Sequence, residues 1–167
     1  MTVIGDRLIA ELIESGHIVG LLHEEMQLHP ASIELTLRKV MSFKGAGVMD
    51  FTNQKRKVPE CEEVPFNEDG YVDLKPGAYK VVFNEVVKIP PDCMAIGLPR
   101  SSLLRSGATI ICGLWDPGYI GRSEALLVVF NPYGIRIYRN ARLVQLVIMK
   151  VMGVTRRYAG IYQGENM

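Results

Sequence analysis

Between Leu98 and Phe130 two short polar motifs interrupt a run of apolar residues, and their side chains are of the kinds that handle phosphate. The first is Arg100-Ser101-Ser102 with Arg105 behind it; the second is Trp115-Asp116-Pro117-Gly118-Tyr119-Ile120-Gly121. Arginine presents a planar fork of charged donors and serine a short hydroxyl, so the first motif can hold phosphate oxygens from several directions. A carboxylate set in a turn by Pro and Gly is placed to orient or deprotonate a neighbour. Together these are the parts of a nucleoside triphosphate site. Each has an ordinary reading too, since short Arg/Ser clusters are common polar turns and Asp-Pro-Gly is a routine turn former. Two features raise the functional reading. Ser101 and Ser102 break an apolar run between Leu98 and Leu103, where an unpartnered hydroxyl loses ~1–3 kcal/mol. Trp115 and Tyr119 flank the carboxylate with amphipathic rings able to pack flat on a sugar.

Two isolated polar residues join the candidates. Gln145 lies in the apolar stretch Leu143-Val144-Gln145-Leu146-Val147, where an amide needs partners, and Glu34 sits among the strand residues Ile33 and Leu35. Either also suits the exposed face of an edge strand; either could hold a phosphate or a metal's water. His17, His23 and His29 are widely spaced and read as structural or surface residues. His23-Glu24-Glu25-Met26 lacks the second histidine of a zinc-protease helix. Nor is there a His-x-Glu with Pro-Cys-x-x-Cys for a zinc deaminase, a Gly-x-x-x-x-Gly-Lys phosphate loop or a Gly-x-Ser-x-Gly elbow.

The elements that must position these residues are mostly strands. Only one segment is clearly helical: Asp6 can cap a helix whose Leu8, Ile9, Leu12 and Ile13 recur at helical spacing, with Gly16 as its stop. Beyond it, short β-rich runs cover Ser32 to Leu37, Ala78 to Phe83, Val86 to Ile89, Met94 to Leu98 and Thr109 to Cys112. They continue over Ala125 to Phe130, Ile135 to Tyr138 and Leu143 to Val151. Turns at Asp69-Gly70, Pro76-Gly77, Pro90-Pro91 and Pro132-Tyr133-Gly134 separate them, a spacing that implies a sandwich or barrel. Gly45 to Pro65 reads as a long surface excursion carrying Lys55-Arg56-Lys57 and then Glu60, Glu62 and Glu63. One domain over residues 1–167 is expected, with a mobile tail at about 158–167.

Net charge of +1 with well-mixed signs argues against a nucleic-acid partner, which needs a basic face, but not against a compact anion. Three cysteines without CxxC spacing read as reduced thiols. No run approaches the ~18 apolar residues of a membrane span. The charged helical pattern from Met1 to Ile18 is not that of a signal peptide. A soluble, cytoplasmic protein is the expectation.

Pro99-Arg100-Ser101-Ser102-Leu103, the Asp116-Pro117-Gly118-Tyr119 turn, Gln145 in a late strand and Pro30-Ala31-Ser32-Ile33-Glu34-Leu35 occur in the order of the motifs of the dUTPase and dCTP deaminase superfamily, which the chain resembles over nearly its whole length. Tyr162-Gln163-Gly164 and the opening helix resemble its deaminase-like and archaeal branch. The resemblance implies a mainly β, distorted jelly-roll fold with a short N-terminal helix. It also implies a homotrimer with active sites at subunit boundaries. By the same resemblance Arg100, Ser101, Ser102, Arg105 and Gln145 bind the triphosphate of dUTP, and Asp116 holds the sugar's 3′-hydroxyl and activates the attacking water. Tyr119, by that resemblance, lies under the deoxyribose and disfavours a 2′-hydroxyl. Glu34, where the family usually has Asp, reaches a Mg²⁺ through water. Typical members close a Gly-rich arm carrying Arg and Phe over the nucleotide; here Tyr162 and Gln163 stand in that place.

Hydrolysis and deamination are separated by one residue. Attack of water on cytosine needs a base that also passes a proton to ammonia. The deaminases resembled carry that Glu three residues before the Asn ending the strand after Asp-Pro-Gly. Counting back from Asn131 gives Val128, and the one carboxylate of the strand, Glu124, sits close to Gly121. Hydrolysis of dUTP to dUMP and pyrophosphate is therefore favoured over dCTP deamination, over a bifunctional enzyme and over a non-catalytic nucleotide-binding relative. Uracil would be read by main-chain groups between Ile110 and Leu114, where the side chains are apolar.

Overall fold

One long strand, β4 (Ser32–Phe43), organises the molecule. In the computed structural model, which describes residues 2–167, the chain is 43% strand and 11% helix, mainly β with curled antiparallel sheets, as expected. Before β4 come β1 (Thr2–Val3), β2 (Ile18–Val19) and β3 (Leu28–His29). After it come β5 (Cys61–Val64), β6 (Tyr71–Leu74), β7 (Gly77–Phe83), β8 (Val86–Lys88) and β9 (Cys93–Pro99). The series ends with β10 (Ala108–Ile111), β11 (Ile120–Gly121), β12 (Glu124–Val129), β13 (Ile135–Tyr138) and β14 (Arg142–Lys150). Among the described residues the helices are α1 (Asp6–Glu14), α2 (Glu24–Gln27) and α3 (Ser101–Arg105).

The main sheet runs β1-β14-β4-β7-β12-β10, with β9 on β14 and both β3 and β5 on β4. A register shift between Leu37 and Lys39 splits β4: its first half pairs with β14, its second with β7. Such a bulge bends a strand, which lets one strand serve two halves of a curled sheet. Ile33, Leu35 and Leu37 are completely buried and meet Phe83, Leu127 and Leu146 in one continuous core. The alternation of Ser32, Glu34 and Thr36 with them suggests a wet outer face, yet these polar residues are buried as well. The reason is a cover of α2 and the β7–β8 turn. Gln27 receives Leu22 and His23 N–H on its oxygen and donates to Glu34 C=O at 2.9 Å and to Glu85 at 2.7 Å. Glu85 also accepts from Thr36 N–H and Oγ1. Burial pushes its carboxyl up, against those hydrogen bonds.

Two local expectations shift. The cap of α1 is Gly5, and Asp6 is its first helical residue, with the carboxylate accepting from Arg7 N–H at 2.9 Å at the positive helix end. Gly16 ends the turn with φ +73°. The excursion 45–65 is an extension of β4 folded back on itself, Val48 bridging Lys57 and Phe43 pairing with Cys61. Its acidic run lies opposite basic residues, Lys39 of β4 facing Glu63 at 3.0 Å and Lys44, just past the end of β4, facing Glu62.

Candidate active site

β14 brings the phosphate-type residues together by register. Gln145 pairs with Glu34 of β4 on one side and Leu98 of β9 on the other, so their side chains share a face. β9 then ends at Pro99, and Arg100, whose N–H bonds to Leu143 C=O, leads into α3. The result is a cavity of about 540 Å³ lined by Glu34, Arg100, Ser101, Ser102, Arg105 and Gln145, together with His29 and Ser106. Ser101 and Ser102 are exposed, not stranded in an apolar run, so their hydroxyls are open to a ligand without a prior burial penalty.

Beneath them Glu34 is buried, with Oε1 2.5 Å from Arg100 Nε and 3.4 Å from His29 Nε2. Its Oε2 lies 3.1 Å from Arg142 Nη1, out of hydrogen-bond alignment. Arg142 is pinned from behind by Met26 C=O at 2.6 Å. With Arg100 Nε held by Glu34 and Nη1 3.5 Å from Arg142 C=O, the Nη2 edge of the fork remains for an anion. No group of three His, Cys, Asp or Glu side chains is gathered among the described residues. Glu34 is thus the one carboxylate of this cavity, and no second carboxylate stands beside it to make a metal cage.

Asp116 is not in that cavity. Trp115 bridges Ala95, back along β9 from Arg100, which at ~3.3 Å per residue separates the two motifs by roughly 15–20 Å within one chain. Asp116 is half-buried in the 116–119 turn, closed by Tyr119 N–H on its C=O. The turn is fastened to the core by Gly118 N–H on Ile89 C=O and by Ile89 N–H on Tyr119 C=O. Among the described residues no side-chain hydrogen bond or ion pair engages the Asp116 carboxylate.

Beside this turn lies a second, aromatic cavity of about 250 Å³, with Gly113, Leu114, Trp115, Tyr119, Tyr158 and Tyr162 among its walls. Trp115 Nε1 donates to Ser123 Oγ at 2.6 Å, and the Tyr119 hydroxyl lies 3.1 Å from the same oxygen while donating to Glu165 at 2.6 Å. Burial, then Glu165, pushes the Tyr119 hydroxyl far above its ordinary range, so it stays a neutral donor. Gly113 and Leu114 follow the end of β10, in the stretch expected to read a base through its main chain. A Cβ on Gly97 would lie 2.7 Å from Cys112 Sγ and 3.0 Å from the Trp115 ring, so that glycine is what lets Trp115 lie against β9.

The segment 158–167 is docked on its own chain. Tyr162 lines the aromatic cavity, but Gln163 is engaged with the backbone of Gly118 and Ile120. Glu124 lines the same cavity, nearer than its position after Gly121 suggested, and its carboxylate is held by Lys80 at 3.0 Å. Val128, three residues before Asn131, pairs with Thr109 of β10. His29, which by spacing reads as a surface or structural residue, lines the phosphate-type cavity, and Arg142, Ser123 and Glu165 also join these sites without a motif that marks them. The one local hint is that His29 abuts the Pro30-to-Leu35 motif and Arg142 shortly precedes Gln145.

Residues 3–151 match the model of the dCTP deaminase-like family. A protein from Methanosarcina mazei is 48% identical over 143 residues, spanning 85% of this chain and 84% of its own. One from Archaeoglobus fulgidus is 44% identical over 163 residues, 98% of this chain and 96% of its own. Both bear the name probable deoxyuridine 5′-triphosphate nucleotidohydrolase. In Methanocaldococcus jannaschii a protein named deoxyuridine 5′-triphosphate nucleotidohydrolase is 43% identical over 143 residues, 84% of this chain and 90% of its own. The crystal structure of a 2′-deoxycytidine 5′-triphosphate deaminase from Agrobacterium tumefaciens shares the fold, with TM-score 0.67 at 21% identity over 87% of this chain and 47% of that one.

Proposed function

The chain belongs to the dCTP deaminase-like family, and from that premise we propose that it hydrolyses dUTP to dUMP and pyrophosphate. Support comes from relatives carrying that name over most of their length, and above all from one structural pairing: a cationic, hydroxyl-lined cavity and an aromatic cavity flanked by an unengaged carboxylate. The first suits three phosphates and the second a nucleoside. Because they stand apart within one chain, the proposal includes a homotrimer in which a neighbouring copy brings its Arg/Ser cavity to this copy's Asp116, the whole acting in the cytoplasm.

In this reading Tyr119 and Trp115 pack on deoxyribose and main-chain groups from Ile110 to Leu114 read uracil. Asp116 accepts a proton from a water whose oxygen forms a bond to the α-phosphorus as the bridging bond to the β-phosphate breaks. Pyrophosphate leaves on Arg100, Arg105, Ser101, Ser102 and Gln145, donors already in place before charge develops, which is the larger part of such catalysis. Glu34 is the residue that would hold a Mg²⁺ through water, and the ion would supply neutralisation of part of that charge.

Purified protein given dUTP with Mg²⁺ is expected to release pyrophosphate but no ammonia. A second reading, dCTP deamination, is favoured by the presence of Glu124 in the aromatic cavity and opposed by its pairing with Lys80. Ammonia from dCTP would establish it. A chain that binds a dUTP analogue and turns over neither nucleotide would refute both.

A further inference from the structure

Tyr119 is fixed at both ends. Its backbone is tied to Asp116 and Ile89, and its ring is buried with the hydroxyl on Glu165 at 2.6 Å and an edge against the Tyr158 ring at 5.6 Å. The other hydroxyl partner, Ser123 Oγ, is shared with Trp115 Nε1, so Glu165 is the one charged acceptor the phenol has. Glu165 is delivered there by a seam of main-chain bonds. Tyr158 N–H meets Pro117 C=O at 2.7 Å, Gly164 N–H meets Ile120 C=O at 2.7 Å, and Arg122 N–H meets Glu165 C=O at 2.9 Å. Gln163 completes the seam: Nε2 donates to Gly118 C=O and Oε1 accepts from Ile120 N–H, each at 3.0 Å. Both halves of its amide are occupied on either side of Tyr119, so Gln163 serves to seat the segment.

Resting on the hydrolase reading, we propose that Glu165 is a positioning residue that holds Tyr119 against the sugar and so sets the preference for deoxyribose over ribose. A ring excludes an added 2′-hydroxyl only as firmly as it is prevented from swinging aside. A backbone anchor alone leaves the side-chain torsions free, whereas a bond from the far end of the phenol to a carboxylate stops the swing. Discrimination against an extra hydroxyl by shape alone is weak, on the order of a hundredfold in apolar pockets, so the rigidity of the excluding ring matters to the outcome.

The test compares kcat/KM for dUTP and for UTP in the full-length chain. Glu165→Ala is expected to lower the dUTP:UTP ratio by about tenfold, the scale of one hydrogen bond to a charged group. Glu165→Gln, whose amide oxygen still accepts from the phenol, is expected to keep most of the ratio. Tyr119→Phe should reproduce the loss, and combining it with Glu165→Ala should add nothing further. An unchanged ratio in Glu165→Ala, whether the enzyme is fully active or equally slowed on both substrates, overturns the proposal, as does a Gln variant no better than Ala. Failure of the unmodified chain to hydrolyse dUTP is a separate result that removes the hydrolase reading and this inference with it.

Discussion

The two cavities are built on opposite principles. The phosphate-type cavity takes Glu34 and Gln145 from the paired strands β4 and β14 and its other donors from Arg100 and the short helix α3 that follows β9, and its floor is a buried carboxylate among cations from distant parts of the chain. The aromatic cavity is made from a turn, a strand end and the C-terminal segment, and its hydrogen bonds join Trp115 and Tyr119 to Ser123 and end on the single carboxylate of Glu165. Buried charge that would be costly to leave unpaired is set among the paired strands of the main sheet, whereas the part shaped for a nucleoside rests on a turn and a terminal segment joined by main-chain bonds. Substitutions in the first region should therefore perturb stability as well as activity. In the second they should perturb activity or selectivity with little change in unfolding.

Asp116→Asn is the strongest case for that division. Loss of the proton acceptor is expected to slow pyrophosphate release by about 10²–10⁴-fold, with the melting temperature unmoved. A large drop in melting temperature would mean that the turn depends on this carboxylate for its fold. Glu34→Ala is the counterpart in the other region. It leaves Arg100 and Arg142 near one another without their shared acceptor and is expected to lower unfolding free energy by about 3–5 kcal/mol, read as a shift in denaturant midpoint. An unshifted midpoint would put the two cavities on the same footing.

Gly97 is where the regions touch, since Trp115 and Val144 both crowd the space a methyl would need. Gly97→Ala is expected to destabilise by about 1–3 kcal/mol through overpacking and to weaken nucleoside binding by moving Trp115. Trp fluorescence reads both effects, the first in a denaturant titration and the second on binding of a dUMP analogue, because Trp115 is the single tryptophan. The smallest effect concerns pH. Burial raises the Glu165 carboxyl above its ordinary value of 4.5, outweighing the Tyr119 bond that lowers it. A carboxyl raised in the docked state supports docking fully below its ordinary pKa and loses that support as pH climbs through the raised one. The Ile120 and Arg122 amides, which bond to the docked segment, should then exchange more slowly at mildly acidic than at neutral pH, after correction for intrinsic rates.

Much of this molecule is legible from local pattern. Ile135–Tyr138 is a strand as its alternation implies, α1 covers the apolar repeat from Leu8 to Ile13, and Arg100, Ser101, Ser102, Arg105 and Gln145 gather around one cavity. What the pattern missed was set at a distance. Glu34 reads as an exposed strand residue because nothing near it announces that α2 will cover it. Its partner Arg142 arrives from another part of the chain through the β4–β14 register. Tyr71–Leu74 is too short and mixed to announce a strand and owes its state to pairing with β13. The C-terminal segment looks free by composition, yet its main chain completes bonds that the turn at Asp116 leaves open.

From the amino-acid order alone came the kinds of chemistry available, the β-rich architecture with its opening helix, and the motifs that mark the family. Those properties rest on side-chain type, turn chemistry and short periodicities, which are local. The tertiary structure alone decided that Glu34 holds two arginines, that Glu165 holds Tyr119, and that Asp116 stands well away from the phosphate donors of its own chain. Each depends on strand register and on which segment covers which face, and these follow from burying the whole core together rather than from any stretch of residues taken singly.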